Sequence, residues 1–434
     1  MSVPSSVVAA GKSWRPSNFV TVCTVLTVLA GATETVQAQS DTLRVAAAVA
    51  IALESNPSLQ AARLRVDAAR ERAPQAGAFP DPVLSIGLMN RPLDGFGTGE
   101  PMTMNTVQLT QRLPWPGTLG FAEDRLENLA VAEEFDAAEV EHQLAARVKT
   151  VYFALAYTDR ALAVMRETRE LLRSFQDVAS AMYGAGRGLQ QDVLQAQVAV
   201  ARVNEDITAM EQERTASAAR LNALLGRDGP VAVPALELPA PIEETLSVDS
   251  LMALATTDRP ALQAARARVD AAQAGYRAAR RQLYPDIMVT VGYGQRPQYT
   301  DMLSVMVGIS LPIWAGSRQM PMRREMLAEQ AEREADVQAL SNETYARIVE
   351  LRAQIERARS LSRLYATSIL PQARAAVESA LSAYRVGSVD YMTLMNNQLT
   401  VNRYAIEMEQ LAADYQRATA ELEALIGFDF GGGQ

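Results

Sequence analysis

Two near-identical copies of one stretch lie about half a chain apart in this sequence. Residues 57–69 read PSLQAARLRVDAA and residues 260–272 read PALQAARARVDAA, so the copies differ at two positions and are offset by 203 residues. A repeat over such a distance constrains the fold more than any local signal, because each half is then expected to follow the same order of helices and strands.

Further landmarks follow both copies in the same order. They are Phe79-Pro80-Asp81 with Tyr284-Pro285-Asp286, Leu113–Gly117 with Leu311–Gly316, Tyr183–Arg187 with Tyr384–Ser388, and Leu221–Gly226 with Leu422–Gly427. Chance similarity between two alanine-rich helices would not keep these landmarks in step. We therefore predict an internal duplication, with a first repeat at 39–228, a proline-rich linker at 229–246 and a second repeat at 247–434.

Each repeat is predicted to contain a helix, a β-hairpin and a pair of long helices that meet at a turn. The opening helix of the second repeat is expected to run without a break over 248–283. The hairpins are expected at about 83–113 and 286–311, between proline-rich stops. The turns are expected at 184–191 and 385–391, where glycines allow the chain to reverse.

The stretch after the first hairpin is the longest helical signal. Between Thr118 and Tyr183 there is no proline and, after Gly120, no glycine, which predicts on the order of 100 Å of helix. Residues recur there at alternating steps of four and three, the spacing of a coiled-coil seam. The seam reads Leu144, Val148, Val151, Leu155, Thr158, Leu162, Met165, Arg169, Leu172, Gln176, Ala179 and Tyr183. In the corresponding helix of the second repeat, Pro371 is expected to produce a kink.

The N-terminus has the pattern of an export signal. A short basic region precedes an apolar run over 19–32, and a small-residue site follows at 36–38, so we predict a signal peptide at 1–38. The only cysteine, Cys23, lies inside this signal. The exported chain is therefore expected to have neither a disulfide nor a lipid anchor.

The composition argues against several classes of function. A net charge of −9 disfavours a nucleic-acid partner, because phosphate backbones attract basic surfaces. The single histidine stands without a catalytic serine and aspartate set, and no phosphate-binding loop occurs. We predict that the protein is not an enzyme and has no cofactor.

The hairpins raise the question of closure. Val107 and Leu109 alternate with Gln108 and Thr110, as in an outer-membrane strand, although a soluble hairpin would alternate in the same way. Four strands cannot close a barrel, and open edges are not tolerated in lipid. If the hairpins enter a membrane, several chains must share one barrel, and three chains would give 12 strands.

The doubled layout, with Phe79-Pro80-Asp81-Pro82, Leu113-Pro114-Trp115-Pro116-Gly117 and a Tyr-x-x-Gly turn in each half, resembles the TolC-type outer-membrane efflux channels. The resemblance implies an α+β membrane protein: a homotrimer whose 12-stranded outer-membrane barrel, four strands from each chain, continues into a long coiled-coil tunnel in the periplasm. It also implies a periplasmic adaptor and an inner-membrane pump of the resistance-nodulation-division type as partners.

The function implied is an outer-membrane exit duct for heavy-metal cations or small toxic compounds. The Pro-Trp-Pro-Gly turn is most similar to the heavy-metal branch of the family. A protein-secretion duct of the same family and a periplasmic coiled-coil protein without a pore are the alternatives.

The resemblance assigns roles to residues at the two turns. Asp192 and Tyr384 match a gate pair, with Gln191 beside it; otherwise Asp192 is an ordinary acid at a helix N-terminus. The residues expected to contact the adaptor are Gly184, Gly186, Arg187, Gly188, Gly387, Ser388 and Asp390. The sequence departs from the family at Val389, where a second gate pair has arginine, and at Thr393 and Asn396, where some relatives carry aspartates.

Methionines flank the first hairpin loop. Met89, Met102 and Met104 are candidate ligands, since thioethers suit Cu(I) and Ag(I). Methionine more often fills apolar surface, and the prediction is that no resident metal is bound.

Overall fold

The computed structural model describes residues 43–93, 97–229, 231–239 and 246–427, and the predicted signal peptide lies outside these ranges. Within them the chain forms ten α-helices, four strands and one π-helical turn. The helices are α1 (Val45–Ser55), α2 (Pro57–Arg70), α3 (Ala73–Gly77), α4 (Thr118–Gly184), α5 (Gln190–Leu224), α6 (Val248–Asp258), α7 (Pro260–Arg281), α8 (Gln319–Leu364), α9 (Leu370–Arg385) and α10 (Tyr391–Ile426). The strands are β1 (Val83–Met89), β2 (Met104–Leu113), β3 (Asp286–Gln295) and β4 (Met302–Ser310).

α4 is the long uninterrupted helix that the sequence predicts. It has 67 residues, which is about 100 Å at a rise of about 1.5 Å per residue. It begins after Gly117, whose φ of 87° turns the chain out of the proline-rich segment behind β2. Most of the predicted seam is buried. The exceptions are the half-buried Val151, Arg169 and Gln176 and the exposed Tyr183.

Helices from both halves pack on α4. They are α1, α2, α3 and α5 from its own half and α7 and α10 from the other, while α8 packs on α6, α7 and α10. One core joins α1, α4 and α5 around Tyr152 and Leu221. A second joins α6, α8 and α10 around Ile348 and Leu422. A third lies at the turns that connect the long helices.

The single helix expected over 248–283 is instead two helices, α6 and α7, divided at Arg259. Pro260 has no backbone N–H, and its ring disfavours the α conformation of the residue before it. Arg259 accordingly has extended dihedral angles, φ −64° and ψ 116°. The first half has the same break at Asn56, which precedes Pro57.

A glycine packs against the backbone at each break, and this glycine stands at the C-terminal end of a long helix of the same half. Gly226 has a φ of +64°, and a Cβ atom there would lie 2.6 Å from the carbonyl oxygen of Ser55. Gly427 has a φ of +73°, and its Cβ would lie 2.8 Å from the carbonyl oxygen of Asp258. Only glycine fits both the dihedral angle and the space at these two junctions.

The two breaks are capped by different side chains. In the first, the side-chain oxygen of Asn56 accepts a hydrogen bond from the N–H of Ser58 at 2.9 Å. In the second, the N–H of Ala261 donates to Oε2 of Glu139 at 3.2 Å. Since Glu139 belongs to α4, the first half caps a helix of the second.

Residues 231–239 of the proline-rich connection form neither helix nor strand and lie against the helices. Val233 and Leu236 are buried in the core around Tyr152. The side-chain amide of Asn222 donates to the carbonyl of Val231 at 2.7 Å, and that of Gln416 donates to the carbonyl of Pro239 at 3.0 Å. Residues 231–239 therefore join elements of both halves.

A five-residue π-helical turn, Tyr365–Ile369, precedes Pro371. The N–H of Leu370 donates to the carbonyl of Tyr365, five residues back. The wider turn accommodates the proline ring without ending the helix. The distortion expected at Pro371 thus takes this form between α8 and α9.

The four strands form one antiparallel sheet in the order β1-β2-β3-β4. β2 and β3 come from different halves, and their register places Thr110 opposite Thr290, with the hydroxyl oxygens 2.9 Å apart. The two hairpins therefore meet at the centre of the sheet, and β1 and β4 form its edges.

The register gives the sheet two chemically different faces, because side chains alternate along each strand. The aliphatic face carries Leu84, Ile86, Leu88, Val107, Leu109, Leu113, Ile287, Val289, Val291, Tyr293, Leu303, Val305, Val307 and Ile309, with Asn105, Gln111 and Gln295 near its ends. The polar face carries Val83, Ser85, Gly87, Met89, Met104, Thr106, Gln108, Thr110, Arg112, Asp286, Met288, Thr290, Gly292, Gly294, Met302, Ser304, Met306, Gly308 and Ser310.

Aromatic side chains mark the end of the sheet that adjoins the helices. Trp115 stacks on Tyr284 with ring centroids 5.1 Å apart, and Trp314 is exposed. Among the helices in the described part of the chain, none combines the length and the apolar character needed to cross a membrane.

Alanine at Gly226 or Gly427 is expected to destabilise the folded protein by roughly 1–3 kcal/mol, the cost of a positive φ for a residue with a Cβ, and by more if the carbonyl cannot move. Thermal unfolding in detergent, followed by circular dichroism, measures the change. Gly120→Ala is the matched control, since a Cβ there meets nothing within 4 Å and alanine favours the helix by about 0.5–1 kcal/mol. Equal unfolding temperatures for Gly226→Ala and Gly120→Ala would contradict the close approach at the junction.

Candidate functional site at the helical turns

The turns that connect α4 to α5 and α9 to α10 have the same backbone geometry. In the first, the N–H of Gly186 donates to the carbonyl of Tyr183 at 2.9 Å. In the second, the N–H of Gly387 donates to the carbonyl of Tyr384, also at 2.9 Å. Gly186 has a φ of +70° and Gly387 a φ of +78°. Both turns therefore depend on a left-handed glycine at the equivalent position.

The residues expected to contact an adaptor lie at these turns with small shifts in boundary. Gly184 is the last residue of α4, and α10 begins at Tyr391. The exposed residues of the set are Gly184, Gly186, Arg187, Gly387, Ser388 and Asp390, whereas Gly188 is half-buried. A Cβ on Gly188 would lie 3.0 Å from the backbone nitrogen of Tyr183, so this glycine is needed for a close backbone approach.

Asp390 has a local structural role. Its carboxylate accepts a hydrogen bond from the N–H of Thr393 at 3.1 Å and another from the Thr393 hydroxyl, and so caps α10. These hydrogen bonds, led by that of the hydroxyl, lower the pKa of Asp390. The exposed carboxylate at this turn stays charged at neutral pH.

The structure brings Asp192 and Tyr384 into contact. Asp192 lies in the first turn of α5, and Tyr384 lies in the last turns of α9. The Tyr384 hydroxyl donates to Oδ2 of Asp192 at 3.2 Å. Burial, followed by the charge of Asp192 and this hydrogen bond, raises the pKa of Tyr384 to about 12. The phenol is therefore neutral, as a hydrogen-bond donor must be, at physiological pH.

Gln191 does not lie in this contact. Its side chain is exposed at the start of α5, one residue before Asp192. Residues 191 and 192 point in different directions from the helix, because neighbours in sequence are separated by about 100° around its axis.

Tyr391 is the residue of this site that the sequence interpretation missed. It is fully buried, and its ring packs edge-on against that of Tyr384 with centroids 5.5 Å apart. Burial is the main cause that raises its pKa. Its hydroxyl has no hydrogen-bond partner in the described residues. The only signal in the sequence is its position directly after the capping residue Asp390.

An apolar core lies beneath the pair. Phe175 and Ala179 come from α4, Ala196 from α5, and Leu394 and Met395 from α10. Tyr384 belongs to this core through its ring and reaches Asp192 through its hydroxyl. The hydrogen bond therefore links the second-half turn to the first-half helix at the edge of a packed core.

The residues equivalent to Tyr384 and Asp192 in the opposite halves, Tyr183 and Thr393, do not form a matching contact. Tyr183 corresponds to Tyr384 at an offset of 201, but it is 49% exposed. Thr393 corresponds to Asp192 at the same offset, and it is exposed and bonded to Asp390. The two turns thus share a backbone and differ in their side chains.

The methionine candidates lie at the opposite end of the molecule. Met89 stands opposite Met104 in the β1–β2 register, and Met102 is exposed before β2. Across the described residues, no three or more His, Cys, Asp and Glu side chains are grouped so that they could hold a metal ion.

Comparisons with known proteins show which proteins this chain resembles. The model of the outer membrane efflux protein family matches residues 48–227 and 251–428. The fusaric acid resistance protein FusA of Burkholderia cepacia is 31% identical over 230 residues, which cover 49% of this chain and 42% of FusA. The cobalt-zinc-cadmium resistance protein CzcC of Cupriavidus metallidurans is 20% identical over 396 residues, 89% of this chain and 90% of CzcC.

The fold is also that of a solved outer membrane protein. VceC of Vibrio cholerae superposes with a TM-score of 0.76 at 18% identity, over 89% of this chain and 96% of VceC. The likeness extends over both halves of the chain.

The contact between Tyr384 and Asp192 predicts an alkaline titration. The difference spectrum between the wild type and Tyr384→Phe isolates Tyr384 from the 13 tyrosines, and a midpoint near pH 12 is expected. Because this pKa lies above the ordinary value of 10.0, the pair's contribution to stability is complete below pH 10 and is lost as the pH rises toward 12.

Asp192→Ala is expected to lower that midpoint, since it removes both the charge and the acceptor. Glu205→Ala, on the exposed side of α5, is the control and should leave the midpoint unchanged. A Tyr384 midpoint near 10 in the wild type would show that Tyr384 is neither buried nor in contact with Asp192 in solution.

Proposed function

This chain belongs to the outer membrane efflux protein family, and we propose that it is the outer-membrane exit duct of a tripartite efflux pump. In this proposal three internally duplicated chains join their sheets into a 12-stranded barrel, and their helices continue the barrel as a tunnel into the periplasm. A periplasmic adaptor contacts the turns, and an inner-membrane pump of the resistance-nodulation-division type supplies the energy. The duct itself is passive.

The two-faced sheet is the observation that carries this proposal. Its aliphatic face suits lipid, since Ile86 and Leu303 are 79% and 74% exposed on the single chain. Its polar face has the hydroxyls, amides and glycines of a water-filled lumen. One chain alone offers neither a closed lumen nor a lipid-covered exterior.

The edges of the sheet support the number of chains. Backbone groups without hydrogen-bond partners cost several kcal/mol each in hydrocarbon, so a sheet in lipid must close on itself. Pairing β1 of one chain with β4 of the next closes the sheet with copies of the same chain. Three four-stranded sheets supply an even number of antiparallel strands and a diameter that leaves an open lumen.

The turn end supports a gate. Tyr384 belongs to the helix pair of the second half and Asp192 to that of the first, so their hydrogen bond holds the two pairs together at the end of the tunnel. A hydrogen bond to a charged group contributes roughly 1.5–3 kcal/mol, and a trimer would contain three such bonds. Breaking them would allow the helix pairs to separate and widen the tunnel.

The relatives support small toxic compounds as the cargo. FusA is named for fusaric acid resistance and CzcC for cobalt, zinc and cadmium resistance. Deletion of the gene is expected to reduce tolerance to members of a panel that contains fusaric acid, cobalt, zinc, cadmium, copper, silver and a set of dyes. A defect confined to protein export would contradict the efflux function and favour a secretion duct.

The duct is tested directly on the purified protein. We expect a trimer that resists detergent and conducts ions when it is incorporated into planar bilayers. Heat-unfolded protein from the same preparation is the control and should not conduct. A soluble monomer without conductance would overturn the proposal in favour of a periplasmic coiled-coil protein.

The gate is tested by the same recordings. Asp192→Ala and Tyr384→Phe are each expected to raise the conductance of the isolated channel, because either change removes the hydrogen bond and leaves the turn backbone intact. Tyr183→Phe is the matched control, since that exposed tyrosine occupies the equivalent position in the first turn. Unchanged conductance in both gate variants would remove the pair from the gate.

A further inference from the structure

The duplication indicates how the two edges of the sheet can pair. Within one chain, the last strand of the first hairpin, β2, pairs with the first strand of the second hairpin, β3. The last strand of the second hairpin, β4, and the first strand of the first hairpin, β1, are the edges. If each hairpin binds its successor in the same way, β4 pairs with β1 of a second copy of this chain. The β2–β3 pairing, here called the inner junction, then shows the geometry of that contact.

The strands of the two hairpins match one another at fixed offsets. β2 matches β4 at an offset of 198, which aligns Met104 with Met302. β1 matches β3 at an offset of 205, which aligns Gly87 with Gly292. At both offsets, residues of the aliphatic face match residues of the aliphatic face, and the polar face does likewise. The two hairpins are therefore equivalent strand by strand.

These offsets convert the register of the inner junction into a register for the edges. Thr110 stands opposite Thr290 at the inner junction, and the equivalent residues are Gly308 of β4 and Ser85 of β1. The same register sets aliphatic residues of the two edges opposite one another: Ile309 and Leu84, Val307 and Ile86, and Val305 and Leu88. A slip by one residue would place these side chains on opposite faces. The register therefore keeps both faces continuous from one copy to the next.

A gap at the inner junction recurs at the edge. The side chain of Gln108 lies across Gly292, where an added Cβ would come within 3.2 Å of Cγ of Gln108. The equivalent residues at the edges are Met306 and Gly87. Met306 is 66% exposed on the single chain. Among the described residues, a Cβ on Gly87 would meet only the hydroxyl oxygen of Thr106, at 3.1 Å. Gly87 thus has space for a methionine from a second copy.

An aromatic contact at the inner junction also has an unpaired equivalent at the edges. Trp115, just after β2, stacks on Tyr284, just before β3, with the ring planes 13° apart. The equivalent aromatic residues are Trp314 after β4, with Ile313 as one extra residue before it, and Phe79 before β1. They are 74% and 63% exposed on the single chain. Pairing the edges of two copies brings these rings to the same junction.

A second copy of this chain fits these edges better than lipid does. The outer sides of β1 and β4 have no strand partner among the described strands, and hydrocarbon offers no hydrogen bonds to their backbone groups. A second copy supplies complementary backbone together with faces of matching polarity. One contact of the inner junction is missing at the edges, because Ser310 stands where Arg112 forms its ion pair with Asp286. The contact between copies therefore depends on backbone pairing and apolar side chains.

We propose that β4 of one chain pairs with β1 of a second copy of this chain in the register that sets Gly308 opposite Ser85. In this register the glycine gap of β1 is filled from β4. Beyond the strand ends, Trp314 of the first copy stacks on Phe79 of the second. The inference rests on the proposed duct and adds to it the register and the side-chain contacts by which the copies join.

Disulfide trapping tests the register. Within one chain β1 and β4 are three strand spacings apart, about 14 Å, whereas a disulfide needs Cα atoms within about 7 Å. A disulfide between the cysteines of Ser85→Cys/Gly308→Cys must therefore join two copies. The single natural cysteine, Cys23, lies in the predicted signal peptide, so the exported variant is expected to contain only the two introduced cysteines.

We expect the oxidised double variant, purified in detergent, to give linked copies on a non-reducing denaturing gel, which a reductant separates. The matched control is Ser85→Cys/Ser304→Cys. It keeps the second cysteine on the same face of β4 but moves it four residues, about 13 Å, from the position opposite Ser85. The control should give about tenfold less linked product, because its cysteines exceed the reach of a disulfide. Equal linking in both variants, or more in the control, would overturn the register.

The aromatic contact is tested by Trp314→Leu and Phe79→Leu. Each is expected to lower the temperature at which the oligomer dissociates in detergent. The double variant should fall no further than the less stable single variant, because all three lose the same contact. Tyr183→Leu, an exposed aromatic residue at the turns, is the control and should leave the temperature unchanged. Additive losses in the double variant would overturn the stacking.

Conductance in planar bilayers separates this inference from the duct. The reduced Ser85→Cys/Gly308→Cys protein is recorded before oxidation, and the same preparation is then oxidised and run on the gel. A conducting protein that gives no linked product refutes only the register. Linked product from a protein without conductance refutes only the duct.

Discussion

The structure depends on one helix that cannot bury its apolar seam within a compact domain. α4 is about 100 Å long, and helices from both halves cover it: α5 along one part, α10 along another, and α2 and α7 toward the sheet. The shorter helices need junctions where one ends and the next begins. Gly226 and Gly427 make those junctions. Only a residue without a side chain fits there, because Gly226 lies against the carbonyl of Ser55 and Gly427 against the carbonyl of Asp258.

These junctions link the two ends of the molecule. They fix where the opening helices of each half lie along α4 and α8, and those helices lead directly into the strands. The sheet and the turns are therefore positioned by the same helical scaffold. A loss of packing at a junction would therefore alter the positions of both the sheet and the turns, because the long helices run between them.

The two turns, and likewise the two breaks before Pro57 and Pro260, share their backbone geometry but differ in their side chains. The first and second turns share a left-handed glycine and the same hydrogen bonds, yet only Tyr384 is buried and bonded to an acid. Similarly, Asn56 caps its own helix, whereas the equivalent N–H in the second half is capped by Glu139 from α4. In both cases the asymmetry produces a contact between the halves, which a strict repeat would lack.

The sequence by itself determined the order of elements, the length of α4 and the positions of both hairpins and both turns. These follow from short-range rules: proline and glycine end elements, and apolar spacing separates helix from strand. The prediction of one helix over 248–283 was wrong, although Pro260 is a sequence signal for a break there. The packing of Gly427 against this break could not be read from the local sequence. Asp192 and Tyr384 were found by resemblance, and their contact is a property of the folded chain.

Only the tertiary structure decided which residues meet. The burial of Tyr391 in a core with residues of α4 and α5, the capping of α7 by Glu139 and the pairing of β2 with β3 all join parts of the chain that are distant in sequence. The strand pattern assigns each residue to one of two faces, but the face of β4 relative to that of β1 follows only from the register across β2 and β3. The physical reason is that spacing fixes direction within an element, whereas contact between elements is fixed by packing of the whole.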